Sequence, residues 1–278
     1  VKNPEPYLTQ LQTLNLIPNF WMSQEYFDKA GIDESVWTAP NGIDYVIPTQ
    51  LGYLMFPPLN QEGIGYNLLT IMAVPKNIWA SLPDNEVPPD WYTGGDYLTE
   101  FLDFNFIYDP KGFLGMEGKT WQTFRKNVRK WPRNNPMSGY WDINPNCKWT
   151  EEALRRLLID WLQLMGEDTE IHDDEVLFKY VFEGLNRKGL FNRMGELVGL
   201  NIWDENYKFI NYRFCICRNE PFLSEYMRYL FYRDPLIQAK GKLVNDGGAL
   251  DRPELERFKR KLNPIRVYDI FSWKWVRS

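Results

Sequence analysis

Histidine is almost missing from this chain: His172 is the only one in 278 residues. That excludes multi-histidine metal centres and leaves little room for a histidine-based catalytic triad. Three cysteines are too few for a disulfide framework, and a reducing cytoplasm fits them best. No run of about 18 apolar residues occurs, so no segment reads as a membrane span. The first residues lack a basic stretch followed by an apolar one, so a cytoplasmic location is expected. Excess positive charge is missing too. At a net charge of −5 the chain cannot coat a polyanion with its whole surface, although a local basic patch remains open to it.

Aromatic residues, at 16%, are plentiful. They bring large buried areas and flat surfaces for stacking. In the first half, Asn41-Gly42 is the strongest hairpin signal, between expected strands at 36–39 and 43–47. Further strands are expected at 51–56, 97–108 and 139–143. From residue 150 the pattern predicts helices over 150–165 and 173–185. Strands then come at 189–194, 196–203 and 207–217, a helix at 222–231 and a strand at 242–244. A helix at 255–262 and a strand at 265–271 complete the order.

Two stretches carry most of the chemistry. Residues 118–133, GKTWQTFRKNVRKWPR, hold six cations and no acid. Trp121, Phe124, Val128 and Trp131 recur at three, four and three residues, which predicts one amphipathic helix with a basic face. Residues 244–264, VNDGGALDRPELERFKRKLNP, read as strand end, glycine turn and short basic helix. Glycine reaches positive φ without steric cost, so Asp246-Gly247-Gly248 turns sharply. Asp251 is the expected N-cap and Pro253 sits in the first turn. Leu255, Phe258 and Leu262 give the helix an apolar face, and cations gather in its last turns, where the helix dipole favours them.

Gly118-Lys119, with Arg125-Lys126-Asn127, resembles the "GKK…R..I..F" segment of proteins similar to the C-terminal catalytic part of phosphatidylglycerol lysyltransferases. Asn245-Asp246-Gly247, with Leu255, Arg257-Phe258-Lys259 and Pro264, resembles that family's "N-E-D-G…GLR..K….P" segment. The resemblance implies an α+β fold of tandem GNAT-like lobes, with mostly antiparallel sheets flanked by helices. The lobes are expected at 1–145 and 146–278. It also implies transfer of an acyl or aminoacyl group, from aminoacyl-tRNA or acyl-CoA, to an amine or hydroxyl. Two departures are visible. The lipid-modifying members carry a membrane part, and no stretch of these 278 residues reads as one. Where acetyl-CoA-dependent GNAT enzymes carry a glycine-rich pyrophosphate loop, this chain has Arg218-Asn219-Glu220-Pro221; only backbone amides at the start of the next helix remain to meet a phosphate there.

Such a transfer needs a proton acceptor, donors for the developing oxyanion and a grip on the donor's phosphates. Asp246 is the candidate to accept a proton or hold an acceptor amine, with Asn245 beside it; the plain alternative is that both only build the turn. Lys119, Arg125, Lys126, Arg129, Arg257 and Lys259 are the candidates for the phosphates. Asp246 and Arg125 are expected to meet at one cavity. Two other functions stay open: a GNAT-like enzyme that modifies a nucleic-acid base, and a non-catalytic protein binding RNA or DNA through residues 118–133. Cys215-x-Cys217 places two thiols on one side of a strand, where buried apolar cysteines are expected. The acidic run around His172 lacks the glycine and spacing of a calcium loop and is expected to be solvated.

Overall fold

A computed structural model describes residues 7–13, 15, 18, 20–31, 46–49, 52–55, 69–74, 97–143, 148–165, 174–250 and 252–275. The expected hairpin at 36–47 lies almost wholly outside these residues. His172 and the acids before it, Cys147 and Asp251 lie outside them too.

The chain divides into two compact units. The first comprises residues 1–105, 248–251 and 267–278; the second comprises 106–247 and 252–266. The boundary expected at 145/146 therefore falls inside the second unit. Residues 106–143 cluster with the rest of that unit because aromatic side chains among them bury against a helix near residue 230. Phe113, for example, stacks on Tyr232 at 3.8 Å.

The first unit carries helices α1 (Tyr7–Thr13) and α2 (Gln24–Ala30). Ser23 caps α2 by accepting from the Tyr26 N–H, and Gly31 ends it in the left-handed conformation. Strands β1 (Val46–Thr49), β2 (Gly52–Met55) and β3 (Leu69–Val74) pair antiparallel in turn. Strand β10 (Arg266–Trp275) lies parallel to β3.

The second unit begins near the end of strand β4 (Tyr97–Tyr108). Its helices are α3 (Gly112–Gly115), α4 (Gln122–Val128), α5 (Lys130–Asn134), α6 (Lys148–Met165), α7 (Asp174–Glu183), α8 (Leu223–Arg233), α9 (Pro235–Ala239) and α10 (Pro253–Lys261). Its other strands are β5 (Gly139–Asp142), β6 (Asn186–Phe191), β7 (Leu197–Glu205), β8 (Phe209–Cys217) and β9 (Leu243–Asn245). Their order across the sheet is β4-β9-β8-β7-β6-β5. All of these pairings are antiparallel except β8–β9, which is parallel. Helix α8 covers one side of β7 and β8. On the other side, Tyr180 of α7 reaches Asp204 and Phe214.

Two irregularities shape the unit. The register of β7 against β8 shifts so that Ile202 faces Phe214 and Trp203 faces Tyr212, leaving Arg213 as an extra residue. This β-bulge breaks the alternation of β8. Tyr212, Cys215 and Cys217 consequently share the α8 side with Trp203, Asn201 and Gly199. Arg213 instead donates to Asp204 on the far side at 2.7 Å. Secondly, β9 pairs with β8 only at Phe209, Ile210 and Asn211. Beyond Asn245 the chain leaves β8, and the Asp246 N–H donates to the Phe106 carbonyl at 2.9 Å. Among the described residues, Tyr212–Cys217 are thus paired on the β7 edge alone, and the sheet opens there.

The basic stretch 118–133 is two short helices rather than one. Arg129 separates α4 from α5. Trp121, Phe124, Val128 and Trp131 are buried, as their spacing requires.

Candidate functional site

The opening of the sheet is closed by an ion cluster. Asp246 comes directly after β9 and is buried. Arg228, on the sheet-facing side of α8, donates to Asp246 Oδ2. Lys259 of α10 lies 3.1 Å from Oδ1 and also donates to the Asp246 backbone carbonyl. The Tyr232 hydroxyl donates to Oδ2 at 3.1 Å. Tyr108 fixes the lysine's own backbone, donating to the Lys259 carbonyl at 2.8 Å. Burial pushes the Asp246 carboxyl up, but Arg228 and Lys259 pull harder the other way and hold it below the usual carboxylate range. Burial lifts the Tyr108 and Tyr232 hydroxyls well above the usual phenol range, with the Asp246 charge adding to it.

A carboxylate paired to two cations and lowered in pKa is a poor proton acceptor. In the structure the Asp246 oxygens are engaged by Arg228, Lys259 and Tyr232. Asn245 is a turn residue, its Oδ1 accepting from the Gly247 N–H at 3.0 Å. Lys259 is buried against Asp246 and has no reach to a phosphate in solution. Arg257 is exposed, but bonded to the Glu254 carboxylate at 3.1 Å and the Pro253 carbonyl at 3.2 Å.

The basic helices form a separate hollow. Trp131 Nε1 donates to Glu220 at 2.7 Å and its ring stacks on Tyr226 at 5.2 Å; Asn127 donates to Glu225 at 3.2 Å. These contacts hold α4 and α5 against α8. Between them lies a cleft of about 630 Å³, lined by Arg125, Arg129 and Arg133 from one side and by Tyr226, Tyr229 and Arg233 from the other. Arg125 is held by the Met116 and Gly118 carbonyls. Arg233 reaches the Leu114 carbonyl at 3.4 Å and lies 5.2 Å over the Tyr229 ring. Arg129 and Arg133 are exposed and have no side-chain partner among the described residues. No carboxylate lines the cleft. Four guanidinium groups facing one hollow make an anion site, and the two tyrosines offer faces for stacking.

Of the expected phosphate-binding residues, the structure brings together Arg125 and Arg129. Lys119 and Lys126 are exposed and do not line the cleft; neither do Asp246, Asn245, Arg257 and Lys259. The expected meeting of Asp246 and Arg125 at one cavity is not found. The start of α8 is no phosphate site either, since Glu220 and Glu225 put negative charge there. Sequence reasoning missed Arg233 and Arg228. Tyr226, Tyr229 and Arg233 stand three and four residues apart, so their common helix side was readable. Arg228 carried no such signal, because its partner is 18 residues away in sequence.

No protein-family model and no curated protein matches the chain. Solved structures do match. L-PGS from Bacillus licheniformis superposes with a TM-score of 0.59 at 15% identity, covering 99% of this chain and 94% of that one. The C-terminal domain of a putative lysylphosphatidylglycerol synthetase from Agrobacterium fabrum gives 0.52 at 12% identity, covering 95% and 90%. The fold is that of the lysylphosphatidylglycerol synthetase C-terminal domain. A conserved protein of unknown function from Bacteroides thetaiotaomicron shares it, with a TM-score of 0.59 at 12% identity over 94% and 95% of the two chains. The α+β class with mostly antiparallel pairing expected from the sequence is the class found. At these identities the synthetase likeness is one of fold. Among the described residues no helix is long and apolar enough to cross a membrane, and no group of three or more His, Cys, Asp or Glu could hold a metal ion.

Proposed function

We propose that this chain is an acyltransferase with tandem GNAT-like lobes. It moves an acyl or aminoacyl group from a phosphate-bearing donor, an acyl-CoA or an aminoacyl-tRNA, onto an amine or hydroxyl. Two things support the reading. The fold is shared with a putative lysylphosphatidylglycerol synthetase domain, whose name speaks of an aminoacyl product. The observation that carries it is the cleft: Arg125, Arg129, Arg133 and Arg233 with no carboxylate among its lining residues. Guanidinium groups with no carboxylate partner bind phosphates in fork geometry, and positioning an already activated ester supplies much of the rate.

The test is to incubate the protein with acyl-CoA or with charged tRNA and a panel of primary amines, and to follow acceptor mass. A mass gain on the acceptor is expected, together with at least tenfold weaker donor binding in the Arg129→Ala/Arg133→Ala double variant. Failure to bind either donor near physiological salt would overturn the reading. The unpartnered Arg129 and Arg133 also favour a second reading, a protein that binds RNA or DNA without chemistry. Binding of uncharged tRNA as tight as charged tRNA, with no acceptor gaining mass, would select it; a mass gain on the nucleic acid itself would select base modification.

A further inference from the structure

The arginine cleft is built as a ladder of cations facing a row of rings. Arg125, Arg129 and Arg133 follow one another at four-residue steps along α4 and α5. Arg129, between the two helices, keeps a helical backbone with φ −86° and ψ −15°, so the three side chains stay on one side of the chain and line one hollow. At about 1.5 Å of rise per residue, their roots stand about 6 Å apart. Arg125 is steadied by the Met116 and Gly118 carbonyls, both through Nη1, which leaves the other edge of its guanidinium for a ligand. The facing wall is α8, where Tyr226, Tyr229 and Arg233 share one side at steps of three and four. The Trp131, Tyr226 and Tyr229 rings follow one another at 5.2 and 6.1 Å, with interplanar angles of 24° and 20°. Arg233 ends the row, 5.2 Å over Tyr229.

We infer that this cleft takes an unpaired nucleic-acid strand, with successive phosphates on Arg125, Arg129 and Arg133 and a base laid against the Tyr226–Tyr229 wall. The inference rests on the cleft being the phosphate site of the function proposed above, and it names the class of molecule that brings the phosphates.

Spacing favours a strand. Its successive phosphates are separated by a whole sugar, a span comparable to one turn of helix, so each meets an arginine of its own. The two phosphates of a CoA diphosphate share one oxygen and fill a single step of the ladder. The start of α8, where a glycine-rich pyrophosphate loop would stand, gives CoA no second place: Glu220 and Glu225 are there, one holding Trp131 and the other Asn127. A duplex fits no better. Its bases are paired with each other, so the tyrosines would meet only sugar and phosphate, and a hollow of about 630 Å³ admits one strand rather than two. An unpaired strand turns its bases outward, and any base can stack on an aromatic face. The half-buried Tyr229, between the Tyr226 ring and the Arg233 guanidinium, is the platform held most firmly for it.

Fluorescence anisotropy on the intact chain tests this. The probes are a labelled oligouridylate, the matching oligothymidylate, and each of them annealed to its complement, with CoA as competitor. The single strand should bind at least tenfold tighter than its duplex, and CoA in about hundredfold excess should not displace it. Tyr229→Ala should weaken strand binding at least fivefold and leave its salt dependence unchanged, whereas Tyr229→Phe, which keeps the ring, should bind as the unmodified protein does. The Arg129→Ala/Arg133→Ala variant should show the reverse pattern, a flatter salt dependence. The two strands distinguish the sources of the ligand: tighter oligouridylate binding assigns the strand to RNA through its ribose hydroxyl, and equal binding assigns recognition to phosphate and base alone. A duplex bound as tightly as the strand would overturn the inference. So would unchanged binding in Tyr229→Ala with an unchanged thermal midpoint. Displacement of the strand by equimolar CoA would overturn it while leaving an acyl-CoA-dependent acyltransferase standing. Binding of neither strand, duplex nor CoA would overturn the acyltransferase reading together with it.

Discussion

The Arg228 guanidinium and the Asp246 carboxylate are joined across the place where β8 and β9 part. They come from α8 and from the turn after β9, and both side chains are more than nine-tenths buried. Their pairing sets what each can do: neither is free to serve a substrate, and each depends on the other to stay out of water.

Removing the anion should therefore be a matter of stability. Asp246→Asn leaves Arg228 and Lys259 buried without their counter-charge, and breaking a buried pair in this way costs about 3–5 kcal/mol. Urea denaturation measures it. Were Asp246 the proton acceptor instead, the variant would lose turnover while keeping its unfolding midpoint.

Acid should find the same cluster. In the unfolded chain the Asp246 carboxyl returns to its ordinary value near 3.8, whereas folded it is held lower. Its contribution is then complete above that ordinary value and is lost as pH falls through the folded one. The acid limb of a stability profile should be shallower in Asp246→Asn than in the unmodified protein, and equal slopes would count against the pairing.

The cleft arginines should behave in the opposite way. Arg129 and Arg133 are exposed and hold nothing in place, so Arg129→Ala and Arg133→Ala should change unfolding free energy by no more than about 0.5 kcal/mol. Binding of tRNA should weaken, and its logarithmic salt dependence should flatten by about one for each arginine removed. A titration at several salt concentrations reads both effects.

Gly248 is required by space. A Cβ there would stand 1.8 Å from Asp103 Oδ2. That carboxylate accepts the Ala249 and Leu250 N–H groups at 2.8 and 2.9 Å. Gly248→Ala must push Asp103 off both amides, with an expected loss of about 2–3 kcal/mol in unfolding free energy.

Much of the fold was legible because its signals are local. The span of β4 was readable to the residue from its aromatic run and the Asp109-Pro110 stop, and α8 from its apolar spacing to within two residues. The glycine turn after Asn245 was readable because Gly247 needs a positive φ of 60°. Distance in space was the part that sequence could not show. Asp246 looks like an exposed turn acid until Arg228 and Lys259 arrive from two other helices. Lys259 reads as part of a solvated basic side, yet its position in α10 points it at Asp246 while Arg257 meets Glu254. The cleft was half readable: Arg125 and Arg129 announce themselves in a run of cations, but Arg233 lies in a helix whose other residues are mostly apolar. The bulge at Arg213 left no mark at all, because any residue type can be the additional one.

That single surplus residue decides which chemistry the middle of the sheet presents. Were Arg213 held in regular alternation, with no residue left over, Cys215 and Cys217 would face the side of Asn211 and Asp204 instead of the side of α8. The bulge, and not the length of the strand, decides which residues of β8 lie under α8.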